Sequence, residues 1–107
     1  METDTRSMNI DATLIEISRY MRSAEIAQAQ PEASSTASQL FGAHGGETAR
    51  NQARQEVART MHRLHLAQSA EGLLSRSARS ERRELLRWLL ALKQIEYERS
   101  LDRSDIG

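Results

Sequence analysis

Cysteine is absent from this 107-residue chain, so neither disulfides nor thiolate metal sites are available to it. Proline occurs once, as Pro31, and phenylalanine once, as Phe41. Strand-like alternation of apolar and polar residues is also missing, which leaves no sheet on which to build a phosphate loop or a nucleophile elbow. The longest apolar stretch, Leu85 to Leu92, is broken by Arg87 and falls far below the roughly 20 residues a membrane-spanning helix needs. The first residues, Met1 to Met8, are polar and carry Glu2 and Asp4, unlike a secretory signal. The expected compartment is the cytoplasm. Strong core formers are scarce as well: twelve Leu, six Ile, one Val and one Phe. Such a slender apolar content approaches that of disordered chains, but disorder also needs a high net charge. Here 15 basic residues balance 15 acidic ones. A thin, single, all-α domain is the expectation, with oligomerisation as a common remedy for a small core.

What is present reads as three helices and a hinge. Ile10, Leu14, Ile17, Met21 and Ala24 follow a helical period and predict a first helix over about 11–30, capped by a Thr13/Glu16 box or by Asp11. Pro31 is expected to end it. Residues 31–47 are rich in Ser and Gly and predict a flexible hinge, against which Leu40 and Phe41 tuck or through which they dock. A short helix with Pro31 at its first position is also allowed there. Ala49, Ala53, Val57, Met61, Leu64 and Gln68 predict a second helix over 48–71, with Thr60 and Ala67 widening its stripe and Gly72 ending it. Ser80, followed by Glu81 and Glu84, predicts a third helix over 80–102. The termini are expected to fray. The fold class is therefore all-α, a helical hairpin or three-helix bundle with a hinge.

The third helix carries two apolar arcs. Leu85, Trp88, Leu89, Leu92 and Ile95 occupy one; Leu86, Leu90, Tyr97 and Leu101 occupy the other. The first two helices offer only narrow, alanine-rich stripes. The sequence thus predicts a homodimer or partner interface through Leu85, Leu86, Trp88, Leu89, Leu90, Leu92, Ile95 and Tyr97. A secondary interface falls on Leu14, Ile17, Met21 and Phe41. Trp88 beside Arg87 has the composition of a binding hot spot.

Charge is segregated although it sums to zero. Residues 50–87 hold nine arginines, from Arg50 to Arg87, against four acidic residues, whereas residues 1–49 are net acidic. These arginines can pair with the acidic section, or contact phosphates as a small DNA-binding regulator would. Arg76, Arg79, Arg82 and Arg83 are the candidates for contacts with an acidic partner or phosphate, because arginines near a helix start oppose its dipole. A helix-turn-helix threaded through Ala67 to Leu86 is a poor match, with Ala78 at a position that usually carries a branched apolar residue.

Catalytic and metal chemistry find little to work with. His62 and His65 stand one turn apart, yet Arg63 beside them repels a cation and no third ligand is indicated. The pairs Glu81/Glu84 and Glu96/Glu98 have basic neighbours and read as solvated ion pairs. No cofactor or small-molecule substrate is expected, and no membrane contact. Fourteen of the 15 basic residues are Arg, which together with many alanines points to a GC-rich bacterial genome. The expectation is a non-catalytic regulator that binds and masks a larger protein, such as an antiactivator sequestering a transcriptional regulator. A helical chaperone, or a subunit of a bacterial secretion or phage assembly, fits the same physics.

Overall fold

A computed structural model describes residues 9–106, with side chains described as far as Leu101. Four helices follow one another: α1 (Ile10–Ser18), α2 (Ser23–His44), α3 (Gly46–Glu71) and α4 (Arg76–Ile106). They form an elongated array of 49 × 36 × 23 Å. The fraying expected of the termini falls on residues 1–8 and 107, outside the described residues, and on the end of α4, which remains helical to Ile106.

The expected first helix is two helices. Asn9 caps α1, its Oδ1 accepting the Ala12 amide at 3.0 Å, so the expected Thr13/Glu16 box does not form. Thr13 lies inside the helix and donates its hydroxyl to the Asn9 carbonyl at 3.1 Å. After Ser18 the chain tightens through successive three-residue turns, in which Tyr20 donates to Ile17 and Met21 to Ser18. Arg22 is extended, and its amide donates to Glu25 Oε1 at 3.0 Å. That is half a capping box: an arginine side chain has no acceptor with which to return the bond.

Residues 31–44 of the expected hinge are instead the second part of α2, with Pro31 inside that helix, and residues 46–47 open α3. Two physical reasons account for the correction. Ala27 and Pro31 both sit on the exposed side, so the carbonyl that loses its amide partner is open to water. On the opposite side Ala29, Ala33 and Ala37 recur every fourth residue and are buried. The polar residues between them bond locally or to α4: Thr36 donates to the Glu32 carbonyl, and Ser34 to Gln94 Oε1 at 3.0 Å. Leu40 and Phe41 are half-buried against the core. The reversal comes at Gly45, whose φ of 85° suits glycine, and which ends α2 and begins α3.

α3 buries Ala49, Ala53, Val57, Thr60 and Leu64. The stripe is centred on Thr60 rather than Met61, since Thr60 satisfies its hydroxyl by donating to the Glu56 carbonyl at 2.7 Å. Gly72, at φ 100°, ends the helix. α4 then starts a turn before Ser80: Ser75 Oγ accepts the Ala78 amide at 3.1 Å and takes the capping role.

α4 is the central rod, with α3, α2 and α1 all packed on it. Glu47–Arg99, Arg50–Glu96 and Arg63–Glu81 pairs step in opposite directions along α3 and α4, so the two helices form an antiparallel hairpin. This is not the crossed arrangement of a helix-turn-helix, whose helices meet at about 90–120°. Contacts of Arg83 with Glu25 and of Gln94 with Ser34 place α2 parallel to α4. Asp11–Lys93 and Tyr20–Arg82 place α1 antiparallel to it.

This arrangement covers most of the first arc within the single subunit but leaves the second arc partly open, with Leu90 half-buried and Leu101 49% exposed. Leu85, Leu86, Leu89, Leu92 and Ile95 are each at most 1% exposed within the single subunit. Alanine stripes bring helix backbones close, so a narrow stripe can cover a wide arc of its neighbour. The segment read as a hinge also supplies an additional covering helix. Trp88 and Leu90 are half-buried, and of the eight interface candidates Tyr97 alone stands well out, at 64% exposure.

Candidate protein-docking surface

Arg82 organises the most distinctive region of the surface from beneath. It projects from the inner side of α4, is 1% exposed, and donates Nη2 to the Leu73 carbonyl at 2.6 Å. Its guanidinium lies 5.3 Å from the centre of the Tyr20 ring, a cation–π contact. Nε is buried with no hydrogen-bond partner. Burial lowers the pKa of Arg82, opposed by Tyr20; Arg79 adds to the lowering and Glu25 opposes it. A guanidinium still stays charged in such a setting. One buried cation thus ties the α1–α2 turn to the α3–α4 turn. Its placement removes Arg82 from the set of surface contacts expected of Arg76, Arg79, Arg82 and Arg83.

Above Arg82 the two turns present Tyr20, Leu73 and Leu74, exposed by 43%, 47% and 64%. On one side of Tyr20 an open groove of about 400 Å³ runs between α1 and α3. Ile17, Leu64 and Leu85 form its floor, and Met61 and Leu73 stand at its rim. Glu16 and His65 also line it. Among the described residues Glu16, His65 and Tyr20 share no hydrogen bond with one another. His62 and His65 are both exposed on α3, and no group of three potential metal ligands occurs among the described residues.

On the other side of Tyr20 lies a wider hollow lined by Arg22, Arg76, Arg79 and Arg83, with Glu25 and Leu74. Glu25 lies 3.5 Å from Arg83. Arg22, Arg76 and Arg79 make no ion pair among the described residues. The rest of the basic section is partnered differently. Arg50 meets Glu96, Arg59 meets Glu56, Arg63 meets Glu81 and Arg87 meets Glu84. These acids belong to α3 and α4; the acidic section 1–49 is reached by Arg83 through Glu25 and by Arg50 through Glu47 at 3.7 Å.

The structure therefore brings Arg76, Arg79 and Arg83 together and separates Arg82 from them. It gathers Leu85, Leu86, Leu89, Leu92 and Ile95 in the interior, and leaves Trp88 under Arg87, whose guanidinium lies 4.9 Å from the indole centre. Of the secondary set, Ile17 is buried, while Leu14, Met21 and Phe41 are half-buried against the core. Tyr20, Arg22, Leu73 and Leu74 escape a reading by helical stripe because they sit in turns. A signal for Arg82 does exist: at about 100° per residue it falls within roughly 40° of Leu86 and 20° of Leu89, on the buried side of α4. Compared with known proteins, the chain matches no family model, no curated protein and no solved structure.

Proposed function

We propose that the protein is a non-catalytic binding module that covers part of a larger protein through the surface centred on Tyr20. One observation carries this reading: an apolar groove and a cluster of four arginines, facing a single carboxylate, meet at an exposed aromatic ring. Aromatic and arginine side chains dominate the energetics of protein interfaces, and both are concentrated here. Covering a surface is itself a mode of action, and sequestration of a regulator, as by an antiactivator, is the form of it we favour.

The test is site-specific photo-crosslinking in cells that naturally make the protein. A benzophenone side chain placed at Tyr20 or Leu74 should capture the same discrete protein. The same group at Ala58, exposed on α3, should not. Equal capture from all three positions, or none from Tyr20 and Leu74, would refute the assignment.

A further inference from the structure

The two halves of the Tyr20 surface differ in chemistry, and together they specify an occupant. Resting on the protein-binding reading above, we infer that the partner element is an acidic amphipathic helix. Its apolar side lies in the α1–α3 groove and its carboxylates meet Arg22, Arg76, Arg79 and Arg83.

Charge complementarity is the first argument. Four cations surround one carboxylate in the hollow beside Tyr20, while the remaining helix surfaces are laced with paired charges. Guanidinium groups suit carboxylates because they can donate two parallel hydrogen bonds. The second argument is continuity. Tyr20 lines both halves, and the consecutive residues Leu73 and Leu74 fall one into each. An occupant must therefore be apolar on one side and anionic beside it.

Length supplies a third constraint. The groove is lined from Ala12 to Ile17 on α1, extended by Tyr20 in the turn that follows, and from Met61 to Gln68 on α3, about 10 Å along α3 at the helical rise. That seats apolar side chains from roughly two turns, the spacing at which amphipathic helices enter grooves between helices. A nucleic-acid backbone matches the arginines but leaves the apolar groove without a counterpart. No sheet edge exists among the described residues to receive an extended strand.

The experiment uses the intact protein and a fluorescent peptide of about 18 residues, with leucines along one face and glutamates on its flanks. A second peptide carries lysine in place of every glutamate. The acidic peptide should bind with Kd on the order of 10 µM, and the basic one at least about tenfold more weakly. Backbone NMR shifts caused by the acidic peptide should cluster at Ile17, Tyr20, Met61 and Leu73. The double variant Arg76→Glu, Arg79→Glu, with both sites exposed, should keep its circular dichroism and reverse the preference between peptides. Equal binding of both peptides, shifts elsewhere, or a preference unaffected by the reversal would overturn the inference. So would failure of the acidic peptide alongside arginine-dependent binding of duplex DNA or of vesicles containing phosphatidylserine. If crosslinking from Tyr20 captures a partner while the peptides are not discriminated, the docking surface stands and the acidic helix falls.

Discussion

Replacing Pro31 by alanine should stabilise the protein, because the residue lies more than two turns inside α2. Proline in a helix interior is about 3 kcal/mol less favourable than alanine, through a missing amide and a clash with the carbonyl four residues back. Pro31 is exposed, so its removal forfeits no core packing, and the new amide can reach the Ala27 carbonyl. Alanine also loosens the unfolded chain, which opposes the gain by about 0.4–1 kcal/mol. A net stabilisation of about 2 kcal/mol remains, equivalent to a rise in Tm of roughly 10 °C for a domain of this size. Thermal and urea melts followed by far-ultraviolet circular dichroism measure it directly. A hinge at this position would reverse the sign, since proline then restricts only the unfolded state. An unchanged or lowered Tm would therefore refute the continuous helix.

Three further substitutions probe other parts of the packing. Ala37→Leu should destabilise by about 1–3 kcal/mol in urea melts, because its site is 1% exposed and has no room for a branched side chain; a neutral result would mean α2 is not seated on its neighbours. Leu89→Ala should cost about 2–5 kcal/mol while leaving the oligomeric state by light scattering as in the parent protein. Dissociation of an oligomer without loss of stability would put that row at an interface instead. Arg82→Met should keep stability within about 1 kcal/mol of the parent, since it exchanges an incompletely bonded buried cation for an apolar chain. Hydrogen exchange at residues 72–75 should nevertheless accelerate, and unchanged protection there would show that Arg82 does not hold the turn.

Periodicity makes α3 and α4 legible, because both present long stripes and Gly72 separates them, although the cap of α4 is Ser75 and not the Ser80 that the pattern suggests. It misjudged α2 because proline, serine and glycine were weighed as local breakers, whereas burial of Ala29, Ala33 and Ala37 is a tertiary effect. The break at residues 19–22 was hidden for the opposite reason: Ile17 and Met21 keep the period across it, and only the bond from the Arg22 amide to Glu25 marks a new start. Reading 31–47 as a loop takes one covering helix away from α4, so its first arc reads as uncovered; on the second arc Tyr97 and Leu101 are exposed in the structure as well. At the candidate site, Arg76, Arg79 and Arg83 could be read from charge alone. Tyr20, Leu73 and Leu74 could not, since their exposure depends on how two turns distant in sequence are drawn together by Arg82.

Placing the common scaffold after the three helices it supports has a consequence for biosynthesis. A ribosome delivers α1, α2 and α3 first, yet most of their tertiary packing is with α4 rather than with one another. Until the rod has cleared the exit tunnel, the nascent segments have only each other's alanines to rest on. Cooperative folding of these helices must therefore await emergence of α4, and a chain stalled before Leu85 would lack the residues on which α1, α2 and α3 pack.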